Sequence, residues 1–197
     1  RSLGLQPDMI VGRNDERLEE DIIEKISLFT DVEKESVVSD PNLDTVYRIP
    51  LIFDEQSVDE KIAEKFDLPG REKGLEDWSS KVDRITSSPE KRIGVYGKYT
   101  GMDDSYASIE EAVKHAEAET GVNVEIEYID SENPVDPENF DGIIIPGGFG
   151  QRGIPGKINA LKTAREKGIP ALGLCLGMQL MVIEFCRNVL DMEATSG

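Results

Sequence analysis

Apolar positions along the chain fall into two rhythms separated by a polar, interrupted stretch. In the first part, Asp8 to Val11 has the alternation of a short strand. Glu16 to Phe29 follows with Leu18, Ile22, Ile26 and Phe29 on one helical face. Val37-Val38 predicts a brief strand, Asp40-Pro41-Asn42 is turn chemistry, and Ser57 to Phe66 predicts a helix. The first residues begin inside what reads as an ongoing element, so the chain is expected to continue upstream.

From Asp67 to Lys91 the pattern is charged and broken by Leu68-Pro69-Gly70, Gly74 and Ser87-Ser88-Pro89, with Trp78 in a weak helical pattern. This stretch is expected to be an interdomain linker. Beyond it, short apolar runs alternate with helical ones. Strands are expected at Arg92 to Tyr96, Val122 to Ile129, Asp141 to Ile145 and Pro170 to Leu174. Helices are expected at Ser105 to Thr120, Lys157 to Lys167 and Gly177 to Leu190. Such βαβ units imply a parallel sheet covered by helices on both faces, an α/β class. The expected division is residues 1–66, a linker 67–91, and a second domain 92–197.

Composition narrows the partners. The 40 Asp and Glu against 22 Lys and Arg give a net charge of −18. A face basic enough for phosphate backbones is therefore not expected, nor is nucleic acid as a partner. No run approaches the roughly 18 apolar residues that span a bilayer, and no basic-then-apolar leader is present. The expectation is a cytoplasmic protein with no membrane partner. Two cysteines, Cys175 and Cys186, and one histidine, His115, argue against a disulfide framework and against a structural zinc site. No metal ligand is assigned.

The segment carrying chemistry is Gly173-Leu174-Cys175-Leu176-Gly177-Met178-Gln179. It sets a cysteine between two glycines where a buried strand turns into a helix. A nucleophile elbow needs that arrangement, because the turn is strained and its neighbours must be small for strand and helix to approach. Cys175 then sits at a helix N-terminus, where peptide dipoles stabilise negative charge. The Leu176 amide becomes a natural oxyanion donor. A buried structural thiol is the alternative that the glycines weigh against. Cys186 lies mid-helix among Met181, Val182, Ile183, Phe185 and Val189, and is expected to pack in the core.

A second loop, Pro146 to Gly153, follows the third strand of the alternating region. Gly148, Gly150 and Gly153 spell G-x-G-x-x-G, the dinucleotide fingerprint. The acid expected about twenty residues on, to hold a ribose, is replaced by the run Gly173 to Cys175. A glycine loop that aims amides at an oxyanion is the favoured reading.

Around Cys175 the chain resembles the class I glutamine amidotransferases. Longer stretches narrow the resemblance to the CTP synthase family. These are Gly97-Lys98-Tyr99 with Asp104 to Ser108 and Glu111 to Ala116; Pro146 through Gly153 with Gly156-Lys157; and Gly177 to Leu180 with Ile183 to Phe185 and Arg187 to Val189. Upstream, Gly4 to Asp8, Lys25 to Phe29 and Tyr47 to Leu51 are similar to the end of that family's synthase domain. The resemblance implies the C-terminal end of a P-loop-type synthase (amidoligase) domain, followed by the truncated first part of a class I glutaminase domain.

The activity implied is ATP-dependent amination of UTP to CTP with ammonia from L-glutamine. ATP and Mg would be co-substrate and ion, GTP an activating effector, CTP a feedback inhibitor, and a homotetramer the full-length assembly. By position the resemblance makes Cys175 the catalytic nucleophile. It gives Gly148, Leu176, Gly177, Met178 and Gln179 the glutamine and oxyanion contacts, Lys25 the UTP or CTP phosphates, and Pro41, Asn42 and Leu43 the ATP base.

The family's phosphate loop and magnesium acids are expected upstream, and its catalytic His and Glu downstream. His115 is expected to pack rather than to stand in for that His. The last residues, Glu193 to Gly197, depart from the family's usual continuation. Without the base, this stretch alone is expected to lack CTP synthase activity and to have little glutaminase activity. The alternatives are the glutaminase of another class I amidotransferase, a non-catalytic binding domain with a slowly reacting Cys175, or a Cys hydrolase or chaperone of a related elbow fold.

The acid excess is spread along the chain, which fits either adaptation to high salt or an ordinary acidic surface. Salt adaptation predicts a melting temperature that climbs with KCl concentration, and a midpoint indifferent to KCl dismisses it.

Overall fold

The computed structural model describes residues 4–70, 74–98, 105–148 and 150–195. The motif residues Tyr99, Asp104 and Phe149 lie outside them. Contacts divide the chain into two compact units, with the boundary between Thr86 and Ser87. No helix among the described residues is long and apolar enough to cross a membrane.

The first unit contains a parallel pair of strands, β1 (Ile10–Asn14) and β2 (Val37–Pro41), in register from Ile10 against Val37 to Asn14 against Pro41. Helix α1 (Glu20–Thr30) makes the crossover. The strands sit two residues further along than the sequence pattern places the first of them, and β2 absorbs the expected turn at Asp40-Pro41. Every residue of β2 is buried. Its outer edge is closed by a side chain: Ser39 N donates to Gln56 Oε1 at 2.8 Å, and Gln56 Nε2 donates back to Ser39 O at 2.9 Å. The amide of Gln56 thus substitutes for a neighbouring strand at that residue.

The apolar face expected on α1 is only partly covered: Leu18 and Ile26 are half-buried, and Ile22 is exposed. The helix has no buried residue, and Phe29 and Leu28 are 76% and 79% exposed. Two strands offer too little sheet surface to cover such a face.

Three further helices complete the unit: α2 (Ile49–Glu55), α3 (Val58–Lys65) and α4 (Glu76–Ile85). Helix α2 carries Pro50 in its first turn, where a missing N–H costs nothing. Helix α4 lies inside the stretch expected to be linker. Val82 is its buried residue. Trp78 Nε1 donates to Tyr47 O at 2.8 Å, and Arg48 reaches Asp83 and Thr86, each at 3.2 Å. One apolar anchor and a few polar contacts tie this helix down, and so sparse a pattern looks like linker in a sequence.

The second unit carries out the βαβ pattern. Strands β3 (Lys91–Gly97), β4 (Val124–Asp130), β5 (Gly142–Ile145) and β6 (Ala171–Gly173) form one parallel sheet in the order β4-β3-β5-β6. Helix α5 (Ala107–Thr120) links β3 to β4, and α6 (Ile154–Lys167) links β5 to β6; α7 (Leu176–Asn188) follows β6. Because the order reverses between β3 and β5, their carboxyl ends open a crevice, where open α/β sheets receive ligands. One core cluster joins Tyr96, Ile143 and Ile145 of the sheet to Ala160, Leu161 and Ala164 of α6 and Leu180 and Ile183 of α7.

Helices α6 and α7 are also pinned by an ion pair. Arg165 grips Glu184 through Nε–Oε2 at 3.0 Å and Nη2–Oε1 at 2.9 Å, and Glu184 is 3% exposed. The hydrogen bond to Glu184 holds the Arg165 guanidinium above its ordinary pKa. Removing Arg165 alone strands a buried carboxylate, whereas replacing both partners does not. Arg165→Met is expected to lower the urea midpoint clearly, and the Arg165→Met/Glu184→Met pair to lower it much less. Urea midpoints measure both, and equal losses would mean that the pair carries no such penalty.

Candidate functional site

Strand β6 ends at Gly173, and the chain reverses through Leu174 and Cys175 into α7. Leu174 N extends the sheet by donating to Ile145 O at 2.9 Å. Gly177 N then closes the turn on Leu174 O at 2.8 Å, and Gln179 N donates to Cys175 O at 3.2 Å. Cys175 stands at the helix N-cap with φ 53° and ψ −110°. A side chain rarely adopts that backbone, and such strain persists only where the surroundings impose it.

The surroundings are two close approaches. A Cβ on Gly173 would lie 2.6 Å from Gly177 C and Met178 N, and one on Gly177 would fall onto the carbonyl of Ile145. Both positions therefore admit only glycine, for the reason the sequence pattern suggests. The thiol of Cys175 is exposed. It lies at the positive end of α7, whose first N–H groups lack intrahelical acceptors, and the Leu176 amide is the first of them. The loop after β5 comes alongside: a Cβ on Gly147 would sit 3.3 Å from Cys175 Cβ and 4.0 Å from its Sγ. Gly148 follows, with Lys98 Cε 3.8 Å from its corresponding point.

The glutamine and oxyanion candidates therefore converge. Leu176 is half-buried against the core cluster, Gly177 is buried, and Met178 and Gln179 are exposed on the first turn. Such an arrangement suits nucleophilic attack by a thiol on a carbonyl whose oxygen is received by backbone amides. Cys186 is half-buried. His115 is exposed on α5, which corrects the expectation that it packs; Glu117 is the buried residue of this helix, with Ile109 and Val113 half-buried beside it.

In the first unit, Pro41, Asn42 and Leu43 lie at the carboxyl ends of the two parallel strands, the ligand side of such sheets. Asn42 N donates to Asn14 O at 2.9 Å, and its Nδ2 to Asp15 Oδ1 at 2.7 Å. Arg13 spans Asn42 Oδ1 at 3.0 Å and Asp40 Oδ2 at 3.2 Å. Lys25 is exposed on α1 and paired with Asp21 at 2.9 Å, an i,i+4 contact that lowers the Asp21 pKa. Among the described residues no cluster of three or more His, Cys, Asp or Glu side chains is placed to hold a metal.

Sequence reasoning missed Lys157, which is almost wholly buried in the first turn of α6. The only signal was its place directly behind the glycine loop.

Two family models match the chain. The model for the CTP synthase N-terminus covers residues 1–68, and that for Glutamine amidotransferase class-I covers residues 102–196. The chain belongs to the CTP synthase family. A CTP synthase of Methanocaldococcus jannaschii is 42% identical across all of the chain, and one of Archaeoglobus fulgidus is 46% identical across all of it. A CTP synthase of Halobacterium salinarum is 45% identical across 98%. The chain spans only 39%, 38% and 36% of these relatives. The glutaminase domain of a Trypanosoma brucei CTPS, solved with bound acivicin, is 40% identical over 51% of this chain and 42% of that one, with a TM-score of 0.46.

The strain at Cys175 has a measurable consequence. Positive-φ strain of this kind costs on the order of 1–3 kcal/mol, while glycine adds about 0.4–1 kcal/mol of unfolded-state entropy. Cys175→Gly is therefore expected to stabilise the chain by about 1 kcal/mol in urea unfolding. A loss of stability would show that the elbow is unstrained.

Proposed function

We propose that this chain is the middle portion of a glutamine-dependent CTP synthase, joining the end of the synthase domain to the nucleophile-bearing half of the glutaminase domain. The observation that carries the reading is the strained cysteine at the β6–α7 turn, between two glycines that steric contact makes obligatory. Its company supports the reading, since the unit before residue 86 holds the match to the CTP synthase N-terminus and the unit after it the match to Glutamine amidotransferase class-I.

In this reading Cys175 Sγ attacks the side-chain carbonyl of glutamine, forming a glutamyl thioester and releasing ammonia. The Leu176 amide and the loop at Gly148 receive the oxyanion. Gly177 lets the helix approach, and Met178 and Gln179 line the glutamine pocket. The ammonia aminates UTP at its 4-position after ATP has phosphorylated the oxygen there. Lys25 contacts the UTP or CTP phosphates, and Pro41 to Leu43 read the ATP base. Magnesium accompanies ATP, and no residue of this chain is assigned to hold it. GTP activation, CTP feedback, a full-length tetramer and a cytoplasmic location complete the proposal.

The test is covalent labelling with the glutamine analogue 6-diazo-5-oxo-norleucine, read by mass spectrometry, with Cys175→Ala as control. An adduct on Cys175 and none on Cys186 is expected, while the chain alone aminates no UTP and turns over little glutamine. If the chain is silent, the full-length enzyme decides, and silence there overturns the role of Cys175.

A further inference from the structure

Lys157 is at odds with the rest of this acidic chain. Only 1% of its surface is exposed, and its ammonium has no hydrogen-bond or ion-pair partner among the described residues. Lys34, Lys65 and Lys167 are each held above their ordinary pKa by a neighbouring carboxylate. At Lys157 the direction is reversed. Burial pushes it down, and among the described residues the charge acting on it is a second cation, Lys98. Among the described residues no acid acts on this lysine.

The topology explains how the two lysines come to one side of the sheet. Lys98 follows β3, and Lys157 lies one turn into α6, behind the loop from β5. Strands β3 and β5 are neighbours in the sheet, at the point where its order reverses. Lys98 Cε approaches Gly148 of that same loop. The N-terminus of α6 adds partial positive charge from its free amides. Beside it, the Ser131 hydroxyl after β4 is buried without a partner, pressed against Gly153 at the cap of α6. A buried cation without a counter-charge is unfavourable unless it loses its proton or gains an anion.

We propose that Lys157 and Lys98 form an oxyanion subsite at this crevice, which takes the phosphate or carboxylate group of a small ligand. The anion supplies the counter-charge that the fold withholds from Lys157, and it sits where open α/β sheets bind ligands. This assignment stands apart from the thiol chemistry of Cys175, which it neither requires nor tests.

Thermal unfolding of the purified chain in sodium phosphate, sodium acetate and sodium chloride at matched ionic strength tests it. A saturating rise of a few degrees is expected with phosphate or acetate and not with chloride. Response to phosphate alone points to a phosphate ester, and response to acetate alone to a carboxylate. Lys157→Met should abolish the rise, whereas Lys162→Met, on the same helix, should keep it. A non-saturating rise is general salting-out and counts against the site. So does a saturating rise that Lys157→Met retains, or no rise at all. If Lys157→Met fails to fold, Lys98→Met decides: loss of the response supports the subsite and its retention overturns it.

Discussion

The carbonyl of Ile145 sits at the centre of the second unit. It accepts the Leu174 amide, which carries the β5–β6 pairing one residue past the end of β6. It also occupies the space that a Cβ at position 177 would need. Strand and helix are thus pressed together on one backbone atom, and the chain between them has only Leu174, Cys175 and Leu176 in which to reverse. The positive φ of Cys175 follows from that shortage of length. So does its exposure, because the side chain at the apex of a tight reversal has nowhere to pack. The geometry that a nucleophile elbow needs arises here from backbone close-packing rather than from side-chain contacts.

The same logic of parallel strands organises both units. Parallel pairing needs crossovers, which leave the carboxyl ends of neighbouring strands free to carry loops. In the first unit those ends present Arg13, Asp40 and Asn42 in one hydrogen-bonded group. In the second, the ends of β3, β5 and β6 bring Lys98, the glycine loop and Cys175 to one rim. These residues are far apart in sequence and close in space because the sheet order β4-β3-β5-β6 puts their strands side by side.

Much of this was legible in the sequence, and what was not has physical causes. The alternation of short apolar runs with helical ones identified each strand of the second sheet to within about two residues: the central β5 is an unbroken buried apolar run, and the edge strand β4 alternates apolar with acidic residues. Glycines flanking a cysteine were readable because steric exclusion leaves a mark on residue identity. Helix α2 gave no clear signal: Pro50 breaks the pattern in a sequence, yet is harmless in a first turn. Helix α4 was hidden in charge, since only Val82 anchors it in the core. Lys157 could not be read as buried, because a lysine carries no sequence mark that separates a solvated from an enclosed ammonium. Lys25, at a helical surface position, shows the commoner outcome.

Position and activation are separable at the elbow. Among the described residues, β5, β6, the first turn of α7 and the loop at Gly147 fix Cys175 in place. A general base acts on the proton of the thiol and does not shape this turn. A chain holding the elbow but lacking its base should therefore present a correctly aimed nucleophile of low turnover. Reagents that need only a placed thiol then report on geometry, while steady-state hydrolysis reports on the base. The distinction follows from the structure: the constraint at Ile145 is steric and local, whereas proton transfer depends on groups that any other part of the fold can deliver.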